Sequence, residues 1–202
     1  MATKHIYPIF DTLLQQKDKE KLLGQKATVL WMVGLSGSGK STLARALENT
    51  LHARGYHTAL LDGDNLRTGI NSNLGFSEED RRENIRRAAE TAKLFAQAGV
   101  ITICSLISPT DEIRRMARGI LGESYCEVFV SCPIEVCEQR DVKGLYAKAR
   151  KGEIKNFTGI DSPFEAPEQP DILVETDKAD LEGSLQLLTE AVLQKVNYPS
   201  EN

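Results

Sequence analysis

Eight consecutive residues, Gly34-Leu35-Ser36-Gly37-Ser38-Gly39-Lys40-Ser41, match the spacing G-x-x-x-x-G-K-[ST] at every fixed position. Those residue types at that spacing bind phosphate. Gly34, Gly37 and Gly39 let the backbone curl so that successive N–H groups converge on anionic oxygens. Lys40 supplies a point charge that reaches β- and γ-phosphates, and the Ser41 hydroxyl is a ligand for Mg²⁺. The context required of a P-loop is present. Thr28-Val29-Leu30-Trp31-Met32-Val33 reads as a buried strand, and a helix starts near Lys40 and runs through Thr42-Leu43-Ala44-Arg45-Ala46-Leu47. The positive end of that helix adds to the same site. The nucleotide-contacting set therefore runs from Gly34 through Thr42.

The rest of the chain has to position this loop. At 202 residues it is expected to form one main domain with a full core. Its net charge of −4 gives no basic footprint for a nucleic-acid polymer. No apolar run is long enough for a membrane span and no signal-peptide pattern opens the chain, so a cytoplasmic protein is expected. Cys104, Cys126, Cys132 and Cys137 form no C-x-x-C pair, and three of them lie in or beside apolar segments and read as buried, reduced thiols. His5, His52 and His57 have no metal-site spacing with them.

Residues 1–25 read as an N-terminal extension with one amphipathic helix between about Pro8 and Leu23. Residues 26–202 read as the main domain. After the P-loop helix, which runs to about Arg54, comes a strand, Thr58-Ala59-Leu60-Leu61. It ends at Asp62-Gly63-Asp64-Asn65 and a loop follows. Ser77 caps a long helix whose stripe is Ile85, Ala88, Ala89, Ala92, Phe95 and Ala96. Strands follow at Val100–Cys104, Cys126–Val130 and Asp171–Val174, with helices at Asp111–Leu121, Pro133–Arg140 and Leu181–Val196. Strand and helix alternate throughout, and the strands read apolar on both faces. That pattern predicts an α/β fold, a five-stranded parallel sheet with helices on both faces. Sites then belong at the carboxyl ends of the strands. The segment from about 141 to 169 is basic and then rich in Gly, Pro and Asp, which suits a lid.

A P-loop specifies nucleotide phosphate, not a reaction. The guanine-reading Asn-Lys-x-Asp pattern is absent, which points away from a switch GTPase. Further motifs occur in order: Leu61-Asp62-Gly63-Asp64-Asn65-Leu66-Arg67, Gly75-Phe76-Ser77, Asp80-Arg81, Glu83-Asn84-Ile85-Arg86-Arg87, Ile107-Ser108-Pro109, Lys143-Gly144-Leu145-Tyr146 and Phe157-Thr158-Gly159-Ile160. With the P-loop, this set closely resembles the adenylyl-sulfate kinases, from about Ala27 to Val196. Val142 departs from the family, which often has proline before Lys-Gly-Leu-Tyr, and bears on the lid's stiffness. The chain looks like the free-standing form, with no sulfurylase-like domain attached.

The resemblance implies a P-loop, nucleoside-kinase-like fold and transfer of the ATP γ-phosphoryl group to the 3′-hydroxyl of adenosine 5′-phosphosulfate, with Mg²⁺. It also implies a homodimer. A hydroxyl acceptor calls for carboxylates, and Asp62 and Asp64 end a strand expected to neighbour the P-loop. Asp62 suits Mg²⁺, together with Ser41, and Asp64 suits the hydroxyl; the other reading of Asp64-Asn65 is a plain turn. Arg67, Arg81 and Arg86 are candidates for the phosphosulfate. The resemblance selects Arg67 and Arg81 with Asn84, which shares a helix face with Arg81. Phe76 and Phe157 could clamp an adenine ring or belong to local core. Ile107 and Ser108 follow a strand end. The family's matching serine is treated as a phosphoserine site, whereas in-line transfer needs only a positional hydroxyl. Arg140 and Lys143 flank the lid and either close over the phosphates or form a basic surface. Two other classes stand beside this reading: a P-loop kinase with another small acceptor, and a non-catalytic nucleotide-binding partner of a sulfurylase.

Overall fold

The structure, a computed structural model, describes residues 5–199. Its strands are β1 (Val29–Val33), β2 (Thr58–Asp62), β3 (Ile101–Ser105), β4 (Tyr125–Ser131) and β5 (Ile172–Glu175). Its α-helices are α1 (Gln16–Leu23), α2 (Lys40–Ala53), α3 (Gly63–Thr68), α4 (Glu78–Gln97), α5 (Asp111–Leu121), α6 (Ile134–Arg140), α7 (Leu145–Arg150) and α8 (Leu181–Val196). The five strands pair in parallel in the order β2-β3-β1-β4-β5. This is the predicted architecture.

The period of two along β1 builds two cores. Val29, Trp31 and Val33 face the layer of α4 and α5 with Ala88, Ala92, Ile113 and Ala117. Leu30 and Met32 face the layer of α2 and α8 with Leu43, Leu47, Leu188 and Val192. All five β1 residues are buried, as befits a strand covered on both faces. The expectation of two apolar faces fails at the edges. Every residue of β2 is only half-buried, and Leu173 of β5 is 46% exposed.

Caps start the helices where the residue types require it. The Ser77 hydroxyl accepts from Asp80 N at 3.1 Å, and Asp180 does the same for Gly183 N at 2.9 Å. The expected single helix over Pro8–Leu23 is broken in two. A 3₁₀ turn covers Phe10–Thr12, and α1 begins only at Gln16. Gln15 is extended, and its N–H donates to the Asp18 carboxylate at 2.9 Å, which sets the helix start there. Helix α1 docks by Lys19 Nζ on Gln97 O and by Glu20 on the Ala27 N–H. Ile9, Phe10, Leu13 and Leu14 remain exposed.

Two further differences concern the site. The Asp62-Gly63-Asp64-Asn65 stretch is not a turn, because Asp62 caps α3 by accepting from Asp64 N at 3.0 Å. The segment from 141 to 169 contains α7, tied by the Asp141 carboxylate, which accepts from Tyr146 N and Ala147 N at 3.0 Å each. Cys104, Cys126, Cys132 and Cys137 are all buried and unpaired. Burial pushes the Cys126 and Cys137 thiols up to about 12.

Candidate active site

The end of β1 hands the chain to the P-loop, and α2 begins at Lys40. The loop lies so close to its neighbours that side chains would not fit. A Cβ on Gly34 would sit 2.5 Å from Val130 O, and one on Gly37, where φ is +77°, would sit 2.9 Å from Cys137 O. Three residues from distant segments hold the loop's carbonyls. Thr176 Oγ1 donates to Ser38 O at 2.8 Å, Tyr146 OH to Ser36 O at 2.9 Å and Arg140 to Gly37 O at 3.4 Å. Arg140 also donates to Thr176 O at 2.7 Å.

Lys40 is buried, and its Nζ donates to Gly34 O at 2.7 Å and to Leu35 O at 2.6 Å. Loss of water around the ammonium brings its pKa down to about 8, against the pull of nearby Asp62 and Asp64. A cation held this way gains more from an arriving phosphate than one already solvated.

A cleft of about 1150 Å³ opens over the loop. Ser36, Gly37, Gly39, Lys40, Ser41, Thr42 and Arg140 line one end. Gly34, Leu35 and Ser38 form the buried underside of the loop. Ser38 is fully covered, and Leu35 packs with Cys132, Cys137 and Tyr146. The cleft is also lined by Thr176, which the sequence reading missed, and by Ser105, which opens the Ser105–Pro109 stretch expected at a strand's carboxyl end. Thr176 directly follows β5 and Ser105 ends β3, so position at a strand's carboxyl end was the available signal.

Strand β2 does not pair with β1; β3 lies between them. Asp62 nevertheless reaches the P-loop, accepting from Ser41 Oγ at 2.7 Å, with Ser105 Oγ 3.2 Å from the same hydroxyl. A hydroxyl beside a carboxylate is an all-oxygen donor pair that suits Mg²⁺, which takes one or two protein ligands beside phosphates and water. No group of three or more His, Cys, Asp or Glu placed to hold a metal occurs among the described residues. Asp64 is exposed at the mouth and accepts from Lys143 Nζ of the lid segment.

The cleft is also lined by Arg67, Phe76, Arg81, Asn84, Ile107, Ser108, Lys143 and Phe157. The Arg67 guanidinium carbon lies 4.4 Å from the centre of the Phe76 ring. Arg81 donates to Phe76 O at 3.0 Å, to Thr158 Oγ1 at 3.2 Å and to Asn156 O at 2.6 Å, so it ties α4 to the 141–169 segment. Burial lowers the pKa of both guanidinium groups, and the Arg67 charge adds to this at Arg81. Two cations that crowd each other at one end of a cleft mark it for an anion. Asn84 is buried and accepts from Asn71 Nδ2 at 3.0 Å. Phe157 meets Tyr146 edge-on at 5.0 Å between ring centres. Arg86 is not part of the cleft. It is bound to Glu83 at 2.7 Å on the outer face of α4, and Arg87 shares that carboxylate.

Ser108 lies at 1% exposure in the wall. Its φ of +46° falls in the left-handed region, and the following Pro109 disfavours helical backbone there. Such a conformation costs about 1–3 kcal/mol and persists only where neighbours impose it. Here they do: Trp31 Nε1 donates to Ser108 Oγ at 3.0 Å, and Arg114 donates to Ser108 O at 3.3 Å.

Comparison with known proteins adds to this geometry. The family model for adenylylsulphate kinase matches residues 26–175. The chain is 61% identical over 193 residues to an adenylyl-sulfate kinase of Bacteroides thetaiotaomicron, covering 95% of this chain and 96% of the relative. It is 63% identical over 168 residues to that of Clostridium acetobutylicum, covering 83% and 84%. Among solved structures it is similar to the Mycobacterium tuberculosis APS kinase CysC in complex with AMPPNP and APS. That match has a TM-score of 0.79 and 44% identity, covering 83% of this chain and 98% of the other. The same fold, the same order of motifs and these identities over most of both chains lead to one conclusion: this chain belongs to the adenylylsulphate kinase family.

Proposed function

We propose that this chain transfers the γ-phosphoryl group of ATP to the 3′-hydroxyl of adenosine 5′-phosphosulfate, giving 3′-phosphoadenosine 5′-phosphosulfate and ADP in sulfate activation. One observation carries the reading. A single cleft joins a P-loop end, a paired-arginine and aromatic end, and two carboxylates, Asp62 and Asp64. Each part answers a need of the reaction. The loop amides and Lys40 take the triphosphate. Ser41 and Asp62 would hold Mg²⁺, which when bound neutralises charge on the β- and γ-oxygens. Asp64 orients the acceptor hydroxyl and takes up its proton. Arg67, Arg81 and Asn84 bind the phosphosulfate, and Phe76 and Phe157 stack on the adenine. Ile107 and Ser108 complete the wall. Arg140 and Lys143 close on the nucleotides with the lid at 141–169, while 1–25 is an extension outside the kinase domain of 26–202.

The deciding experiment measures ATP-dependent ADP release with adenylyl sulfate against AMP. Rapid release with adenylyl sulfate alone is expected. Release with AMP or a sugar acid instead would move the chain to another acceptor, and no release with any acceptor would support a non-catalytic partner of a sulfurylase.

The two nucleotides differ only in the sulfate, so residues at that end discriminate. Arg81→Ala is expected to lower kcat/KM for adenylyl sulfate about tenfold or more, since charged hydrogen bonds contribute roughly 1.5–3 kcal/mol each. Phe157→Ala is expected instead to weaken adenylyl sulfate and inhibitory AMP together. Unchanged acceptor kinetics in the first variant, or spared AMP binding in the second, would refute this acceptor site.

No helix among the described residues is long and apolar enough to cross a membrane. A cytoplasmic location accords with that and with the reduced thiols. The assembly we propose is a homodimer. The exposed apolar row of Ile9, Phe10, Leu13 and Leu14 supports it by offering a face for a second copy. Light scattering of the full chain distinguishes a dimer from a monomer.

A further inference from the structure

We propose that Trp31 is a positioning residue: its indole N–H fixes the Ser108 hydroxyl as a hydrogen-bond donor to the acceptor nucleotide. The inference rests on the assignment of this end of the cleft to adenylyl sulfate.

Trp31 is the chain's single tryptophan and is wholly buried in β1, tilted against Tyr125 at 6.1 Å between ring centres. A buried Trp31 could serve packing alone, but its Nε1 lies 3.0 Å from Ser108 Oγ. An indole N–H can only donate, whereas a hydroxyl has one donor and two acceptor pairs. Trp31 therefore occupies an acceptor pair of Ser108 and leaves the O–H as the group with work to do. Among the described residues the only hydrogen-bond partner of Ser108 Oγ is this donor. Ser108 lines the cleft, so the O–H is directed at whatever oxygen the acceptor nucleotide presents there.

The backbone is fixed as firmly as the hydroxyl. Arg114, buried beside Glu127 at 3.5 Å, donates to Ser108 O at 3.3 Å and to Glu165 O at 2.7 Å. Glu165 N in turn donates to Pro109 O at 2.8 Å. These bonds hold the Ser108 backbone in place, and the Trp31 N–H is what holds the hydroxyl rotamer. The same geometry argues against a nucleophile. A serine that attacks phosphorus must lose its proton to an adjacent base. The group beside this oxygen is another donor.

The test uses Trp31→Phe, which keeps an aromatic ring and removes the N–H. Against wild type, kcat/KM for adenylyl sulfate is expected to fall about five- to tenfold, the size of one neutral hydrogen bond, while the ATP KM moves by less than about twofold. Ser108→Ala is expected to fall by a similar amount and keep measurable turnover. The double variant should be no worse than Ser108→Ala alone, because both changes remove one interaction. A purely packing role predicts a lower Tm with both KM values raised together. That pattern, additive losses, or a phosphoserine that forms and decays at the catalytic rate would overturn the proposal. Should Trp31→Phe fail to fold, tryptophan emission decides. Adding adenylyl sulfate should shift the emission of the wild-type chain and not of Ser108→Ala; an equal shift in both refutes the link. Wild-type turnover measured in parallel separates the two failures. Its absence strikes the assigned reaction, and its presence with an unaffected Trp31→Phe strikes Trp31 alone.

Discussion

Lys40→Ala is expected to lower kcat by about two to three orders of magnitude or more, the scale of a preorganised charge acting on a transferring group. The ammonium sits buried at the centre of the P-loop, 2.6–2.7 Å from two of its carbonyls. That arrangement holds the charge ready without help from water, and its lowered pKa shows the burial opposing the charged form. Removing a charge that burial disfavours helps the folded chain, while the Gly34 and Leu35 carbonyls lose their donor, so the two effects oppose and only a modest change in Tm is expected. Turnover within about tenfold of wild type would contradict the role, since about 1.4 kcal/mol is too little for such a group. A large fall in Tm would instead mean that the alanine chain had lost its loop.

The second large effect separates the two carboxylates. Asp64→Asn keeps shape and loses the acceptor for a proton. It is expected to reduce kcat by about 10²–10⁴-fold with little change in ATP binding. Asp62→Asn should behave differently, because Asp62 holds the Ser41 hydroxyl at 2.7 Å and caps α3. Its main signature is expected in the Mg²⁺ titration, with half-maximal activity moving to higher metal concentration. Steady-state kinetics over a Mg²⁺ series read both. If high Mg²⁺ rescues Asp64→Asn and not Asp62→Asn, the two roles are exchanged.

The P-loop was legible because its chemistry is local. Gly34 to Ser41 are neighbours in the chain, and spacing alone specifies the loop. The carboxylates were legible for a weaker reason, their place at the end of a strand. Sequence reasoning put that strand beside the P-loop, and the structure puts β3 between them. Side-chain reach closes the gap, which no periodicity reveals. Thr176 was missed because its place in the cleft wall comes from where β5 ends in space. Arg86 and Arg81 look alike in sequence; the turn of α4 sends one into the cleft and the other to Glu83. The N-terminal helix was drawn too long because apolar spacing continued past Gln15, where the Asp18 carboxylate sets the start. Helix α7 is only six residues long and owes its start to Asp141, too short a signal to stand out in the lid.

The strand order has a consequence for how the molecule comes apart. Strand β1 is paired on both sides and fully buried, while β2 and β5 each have one free edge. Amide protons of Val29–Val33 should therefore exchange with deuterium only through global unfolding, and those of β2 and of the 141–169 segment through smaller local openings. The P-loop hangs directly from this doubly paired strand. Its root should accordingly stay protected through partial openings that already expose β2.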